Sequence, residues 1–346
     1  MYETALVNAR RRIPYSLGTG KLPAPKDGLK KRPTREEEDR LSVDVERLYE
    51  RLLPSPDSNE RRAMFVQRLE SILNEAWPGQ DIQVHTFGST ENLLCTTTSD
   101  VDVCIIWPGW EDLGLKVCAI ARVLSAKGME RVVCVPGAKV PIVKVWDAEL
   151  MVACDMNVNN TLALHNTKLV KAYVELDSRV RPLAMIIKYW AKRRILNDAA
   201  GGGTLTSYTW ICMIINFLQM RDPPVLPCLH RIPYEKKIVD GVDVGFFDDL
   251  ESLRGFGDKN DESLGGLLYA FFRRFAYEFD YDRHVISVRH GCLLDKEEKA
   301  WHLMQNNRLC VEEPFNTIRN LGNTADDTSV KGLCLEFRRA FGCLSE

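Results

Sequence analysis

Apolar residues recur along this chain with two different periods, and the places where the period changes divide it. Over residues 36–53 they fall at Leu41, Val45, Leu48 and Leu52, the spacing that lines one face of a helix. Pro54 and Pro56 break that helix, and a second is expected to begin near Ser58, a residue type suited to an N-cap, and to run to about residue 76. After Pro78 the period shortens. Residues 82–87 alternate as a strand, 101–106 read as a buried strand apart from one acid, and 113–125 read as a helix. Residues 131–135, 141–146 and 149–156 read as three more strands. From Leu162 the pattern is helical again, over 162–176, 180–194 and 206–220, with the glycines at 201–203 marking a turn. The prolines within 222–227 close that run, and 228–260 is loop-rich. An apolar helix over 264–279, a short strand over 285–288 and a last helix over 333–341 complete the reading.

This order predicts an α+β chain, a small mixed sheet followed by a mostly helical region. At 346 residues it has room for two domains, or for one large domain split by a cleft. With 45% hydrophobic and 27% charged residues the mixture is that of an ordinary globular protein, and the formal net charge of −2 provides no global basic field for nucleic acid. A local basic cleft is compatible with that balance. The eleven cysteines show no C-x-x-C spacing, and several, such as Cys104 and Cys212, sit in apolar runs where a thiol packs as a small hydrophobe. A reducing compartment is therefore expected, cytoplasmic first with nuclear as the alternative. No apolar run is long enough to cross a bilayer and no secretory segment is evident, so no membrane partner is expected. Residues 1–35 form an irregular leader carrying Arg10, Arg11, Arg12, Lys30, Lys31 and Arg32, read as solvated.

The candidate chemistry lies in one stretch. Phe87, Gly88 and Ser89 are followed, ten residues later, by Asp100-Val101-Asp102. Two carboxylates one residue apart in a strand project from one face and repel unless a cation joins them, and hard divalent ions suit such oxygen donors. A glycine and a serine at a strand-to-helix turn let backbone amides and a hydroxyl approach a phosphate. A lone D-x-D is weak, since surface strands often carry one; its combination with the Gly-Ser turn is more specific. A third acid, Asp155, lies in the apolar stretch 150–156, where an unpaired carboxylate is costly. It reads either as a salt-bridged core acid or, better, as the third member of a two-metal phosphoryl-transfer site. No histidine has metal-ligand spacing with another histidine or with cysteine, so zinc is not expected.

Taken together, these residues resemble the DNA polymerase β-like nucleotidyltransferase superfamily. The stretches DMNVNN at 155–160, LHNTK at 164–168, IKYWAK at 187–192, GTLTSYTW at 203–210 and EEPFNTIRNLGNT at 312–324 resemble the Cid-type poly(A) and poly(U) polymerases. The resemblance implies a bilobed enzyme: a catalytic domain over 58–163, a mostly helical central, PAP-associated domain over 36–57 plus 164–346 with a nucleotide recognition motif near 310–324, and an active site in the cleft between them. It implies a template-independent transfer of a nucleotide from a ribonucleoside triphosphate to the 3′ end of single-stranded RNA. Asp100, Asp102 and Asp155 would hold two Mg²⁺ or Mn²⁺ ions. Phe87, Gly88, Ser89, Lys188, Lys192 and Ser207 would surround the triphosphate, Tyr208 would stack on the base, and Asn166 and Thr167 would read the ribose and the nearby base edge. By spacing alone Lys188 and Lys192 are a solvated stripe.

Many uridylyl-adding relatives carry a histidine where this chain has Arg319. An arginine only donates hydrogen bonds, which suits N3 and O2 of cytosine and meets a partial clash at the N3–H of uracil. The cytosine amino group could then donate to Glu313. The pattern is similar to the fungal CutA-type enzymes, which place C and U residues on mRNA 3′ ends, and implies a CTP preference. An ATP-using poly(A) polymerase is the alternative, since adenine offers an N1 acceptor; an inactive RNA-binding scaffold and a transferase acting on small molecules or proteins are further readings. No recognisable RNA-recognition module is present, so RNA choice is expected to depend on a protein partner, on flanking sequence or on the basic leader.

Overall fold

The computed structural model of the chain describes residues 3–4, 28–109, 112–199 and 203–345. In chain order the elements are β1 (Glu3–Thr4), α1 (Arg35–Leu52), α2 (Pro56–Ala76), β2 (Gln83–Phe87), β3 (Val101–Ile106), α3 (Leu113–Ala126), β4 (Glu130–Val135), β5 (Ile142–Asp147), β6 (Val152–Val158), α4 (Leu162–Leu176), α5 (Val180–Arg193), α6 (Ser207–Gln219), β7 (Ile238–Val239), β8 (Val242–Asp243), α7 (Leu264–Arg273), β9 (His284–Ser287), β10 (Cys292–Asp295), β11 (Cys310–Glu312) and α8 (Asp327–Ser345). The chain separates into two compact units, one from residues 52–171 with β1, the other from the described residues up to 51 and from 172 onward. The dividing line falls inside α4. Most of the basic leader and two of the glycines at 201–203 lie outside the described residues. No helix among the described residues is long and apolar enough to cross a membrane.

The first unit is built on a six-stranded sheet of order β1-β4-β5-β6-β3-β2. β3 and β6 run parallel, while β2 lies antiparallel to β3 and β5 antiparallel to β6. Alternation along these strands assigns the two faces. Val101, Val103, Ile105, Val143, Val145, Cys154 and Met156 join Phe65, Leu69 and Leu73 of α2 and Val117, Ile120 and Leu124 of α3 in one core. On the opposite face of β3 and β6, Asp102 and Asp155 are only half-buried, whereas Cys104 and Asn157 are buried.

In the second unit α6 is buried from Thr209 to Gln219, which is why its sequence reads apolar all round. Trp190 of α5, Trp210 of α6, Phe271 and Phe272 of α7 and Phe337 of α8 form its aromatic centre, with Trp190 stacked on Phe337 at 5.6 Å. A three-stranded sheet of order β10-β9-β11 stands beside these helices.

Several element boundaries differ from the sequence expectation, each for a local reason. α2 begins at Pro56 rather than near Ser58, because Ser55 is the cap: its side chain accepts from the Ser58 N–H at 3.2 Å, and proline is well suited to the first helical position. The strand expected over 149–156 is Val152–Val158, because Asp147 accepts from the amides of Glu149 and Leu150, each at 3.0 Å, and turns the chain there. The helix expected over 264–279 is α-helical only to Arg273 and continues as a π turn over Arg274–Glu278. α8 spans Asp327–Ser345, well beyond 333–341, with Asp326 accepting from the Ser329 N–H at 2.8 Å at its start. The short strands β7, β8, β10 and β11 were not expected; each has four residues or fewer, too short for alternation to show.

Candidate active site

In the first unit the strand register sets one row of side chains. Phe87 of β2 lies opposite Asp102 of β3, Asp102 opposite Asp155 of β6, and Asp155 opposite Lys144 of β5. Residues directly opposite one another share a face of the sheet, so the row crosses four strands on the side away from the packed core. Asp100 sits one residue before β3, not inside it as expected, and is exposed. All three carboxylates lie near enough to the strand β6 to be felt by its cysteine. The buried Cys154 thiol is pushed well above its ordinary range by burial first, then by Asp155, Asp102 and Asp100, with Lys144 working the other way.

The Asp155 carboxylate is not solitary: it is ion-paired with the Lys144 ammonium, both side chains partly exposed. The core salt bridge weighed from the sequence is thus a half-exposed pair. Lys144 is the residue the sequence reading missed. Its signal was a single cation in an otherwise apolar strand, which acquires meaning only through the register. Among the described residues no group of three histidine, cysteine or acidic side chains already stands at metal-holding geometry. The chemistry of the donors still fits a hard divalent ion, since all three are carboxylates and Asp102 and Asp155 are register partners on one face of the sheet.

The turn that follows β2 is Phe87-Gly88-Ser89. Gly88 has φ +65°, a conformation that disfavours any side chain, and a Cβ there would overlap the Asp102 carboxylate. Its N–H donates to Thr167 Oγ1 at 2.9 Å, and Thr167 Oγ1 donates in turn to the carbonyl of Ala163 at 2.8 Å. Thr167, expected at the ribose, is therefore buried and its hydroxyl is engaged by the turn and by α4. Its neighbour Asn166 differs: the Oδ1 atom is buried with no hydrogen-bond partner, an open acceptor of the kind a ligand hydroxyl satisfies. Ser89 is half-buried in the short 3₁₀ turn over Gly88–Thr90.

The remaining candidates belong to the second unit. Lys188 and Lys192 lie four residues apart on α5, the first half-buried and the second exposed. Ser207 and Tyr208 open α6, whose cap Thr206 accepts from the Thr209 N–H. The Ser207 hydroxyl is bonded to the Asn197 amide at 2.9 Å. The Tyr208 hydroxyl donates to Glu313 Oε1 at 3.0 Å, and burial, followed by Cys212 and Glu313, raises that phenol well above its usual range.

Glu313 corrects an expectation. Placed by the sequence at the amino edge of a base, it is 0% exposed and accepts from Tyr208 and from the amides of Phe315 and Asn316. Burial raises its carboxyl above the ordinary range, against those bonds and the nearby Arg319. It holds Tyr208 and the loop rather than facing a ligand. Arg319 is exposed; its carbonyl accepts from the Glu313 N–H at 3.1 Å, so the two residues are neighbours by backbone as well as by charge. Asn320, also missed, ties the same loop by accepting from the amides of Val311 and Gly322 at 2.9 and 2.8 Å.

Comparison with known proteins identifies the family. Residues 41–175 match the family described as "Poly(A) RNA polymerase, mitochondrial-like, central palm domain", and residues 263–319 match "Cid1 family poly A polymerase". The chain is 50% identical to the poly(A) RNA polymerase cid13 of Schizosaccharomyces pombe over 347 residues, 99% of this chain and 60% of that protein. It is 33% identical to the terminal uridylyltransferase cid1 of the same organism over 280 residues, 75% of this chain and 68% of that one. A crystal structure of the Cid1 poly(U) polymerase superposes with a TM-score of 0.79 at 32% identity, covering 89% of this chain and 95% of that one. The chain spans 60% and 63% of the lengths of cid13 and of the poly(A) RNA polymerase cid11, so both of those proteins are substantially longer. By these matches the chain belongs to the Cid-type family of poly(A) and poly(U) polymerases within the polymerase β-like nucleotidyltransferases.

Proposed function

We propose that this protein is a template-independent RNA nucleotidyltransferase that joins a nucleoside monophosphate from a ribonucleoside triphosphate to the 3′-hydroxyl of single-stranded RNA, with release of pyrophosphate. The observation that carries the reading is the register pair of Asp102 and Asp155, with Asp100 two residues before Asp102 and the Gly88 turn packed against the Asp102 carboxylate. Asp100, Asp102 and Asp155 would hold Mg²⁺ or Mn²⁺, which when bound acidifies the attacking hydroxyl and neutralises the leaving group. The chain's own residues do the positioning. Ser89 and the turn amides, Lys188, Lys192 and the α6 terminus at Ser207 bind phosphate oxygens. Tyr208 stacks on the base without reading its identity, and Glu313 fixes the ring by its hydroxyl. The unpaired Asn166 Oδ1 accepts a ribose hydroxyl, which favours ribonucleotides.

Base choice falls to Arg319, exposed on the recognition loop and able only to donate. Cytosine, with acceptors at N3 and O2, is the first choice. Adenine is the second reading, favoured by the 50% identity to a protein named as a poly(A) RNA polymerase. With Glu313 enclosed, any partner for the base amino group lies elsewhere. Extension of a labelled oligoribonucleotide with each NTP separately tests both levels. Extension that stops with EDTA and resumes with Mg²⁺ or Mn²⁺ is expected, with CTP used best. Extension that survives thorough chelation overturns the mechanism, and best use of ATP replaces the first base assignment by the second.

A further inference from the structure

Asp100 lies at the end of a loop, outside the strand that fixes Asp102, so something else must hold it. The loop Thr96–Ser99 is closed on itself: the Ser99 N–H donates to the Thr96 carbonyl at 3.1 Å and the Thr96 N–H to Ser99 Oγ at 2.9 Å. It is tied to the start of α2 by one side chain. Arg62 is 4% exposed, and each of the five N–H donors of its guanidinium has an acceptor. Nη2 donates to the carbonyls of Thr96 and, at 3.2 Å, Thr97, and Nε donates to the carbonyl of Ser99 at 3.4 Å. Nη1 donates to Asn59 Oδ1 at 3.0 Å and to Ser58 Oγ at 3.3 Å. All five acceptors are neutral. A buried cation is costly without a compensating negative charge, and this one is placed under the loop that runs directly into Asp100 and Asp102.

We propose that Arg62 is a positioning residue for the metal-holding acids: its guanidinium fork sets the Thr96–Ser99 loop so that Asp100 stands with Asp102 and Asp155. The proposal rests on the metal-dependent reading given above. Lysine cannot replace the fork, since an ammonium has three donors on one atom and cannot span the carbonyls of Thr96, Thr97 and Ser99 and the helix together. Groups that orient metal ligands from behind change metal affinity by tenfold or more when lost.

The test is Mn²⁺ binding without substrate, read by electron paramagnetic resonance of the free ion, with thermal unfolding and RNA extension measured beside it. Arg62→Lys is expected to weaken Mn²⁺ binding about tenfold. The Mn²⁺ needed for half-maximal extension should rise in proportion, and the rate at saturating Mn²⁺ should return close to the wild-type value. Asn59→Ala, on an exposed position, loosens the same guanidinium and should shift Mn²⁺ affinity the same way by less. A lower unfolding temperature with wild-type Mn²⁺ affinity in both variants overturns the proposal and leaves Arg62 a purely structural residue. Should Arg62→Lys fail to fold, Asn59→Ala decides alone: weakened Mn²⁺ binding supports the proposal and unchanged binding overturns it. Asp100→Ala separates the two levels. Wild-type Mn²⁺ affinity in that variant removes the metal assignment itself and the proposal with it, whereas loss of binding there with unchanged affinity in Arg62→Lys overturns the role of Arg62 alone.

Discussion

The acidic row of the first unit and the acid pair Glu312–Glu313 of the second treat carboxylates in opposite ways. Asp100 is exposed and Asp102 and Asp155 are half-buried, with Asp155 on a cation that is itself partly exposed. Glu312 and Glu313 are 1% and 0% exposed, and every interaction recorded for them serves the protein: Ser287, His290 and Lys299 for the first, Tyr208 and two backbone amides for the second. A carboxylate that has been fully desolvated must be surrounded by donors, and one so surrounded has little left to offer a ligand. The two sets of acids therefore differ first in how far they are withdrawn from solvent. Two acids in sequence, as at Glu312–Glu313, do not reveal it.

Substitutions that separate chemistry from stability test this contrast. The largest effect is expected from Asp102→Ala: nucleotide addition should fall by roughly a thousandfold or more, because a metal ligand is lost. Its unfolding temperature should stay within a few degrees of wild type, since the side chain is half-buried on the face away from the core. Near wild-type extension by this variant would break the assignment.

Glu313→Ala should reverse the pattern. It leaves two amides and the Tyr208 hydroxyl without their buried acceptor, a loss of about 2–4 kcal/mol in denaturant unfolding. The pH dependence gives a finer signature. Burial raises the Glu313 carboxyl above the usual value of 4.5, so the folded chain keeps this proton to higher pH than the unfolded chain. Wild-type stability should then fall as pH rises from the unfolded value through the raised folded one. Glu313→Gln cannot titrate and should lack that component, which unfolding free energies compared from about pH 5 to about pH 8 will detect. Identical slopes in the two proteins would contradict the burial argument.

Arg319→His sharpens the contrast within the 312–324 loop, where Arg319 is exposed and Glu313 is not. In competition among equal concentrations of the four NTPs, CTP use should fall and UTP use rise, with a change in ratio of about tenfold. An unchanged ranking would sink the base assignment and leave the transferase reading intact. The smallest effect is expected from Lys144→Met: a partly exposed ion pair contributes about 0–1 kcal/mol, so unfolding should barely change. A large destabilisation would show that the pair is structural after all.

The proposed metal-holding acids stand out in the sequence because their signal is local. Gly88-Ser89, Asp100, Asp102 and Asp155 stand in strands and turns whose alternation can be read directly, and the family stretches add Lys188, Lys192, Ser207, Tyr208 and the 312–324 loop. The helices α4, α5 and α6 were legible for the same reason, having more than three turns each over which a period could declare itself. Sequence alone therefore determined the fold class and the family, and marked the three acids as candidates. Only the tertiary structure decided what each polar side chain has left to give. Lys144 meets Asp155 through the pairing of β5 with β6, Arg62 reaches carbonyls more than thirty positions away, and Thr167 and Glu313 are enclosed by contacts from other elements. Such pairings depend on register and burial, which arise when strands and helices assemble and leave no periodicity in the chain.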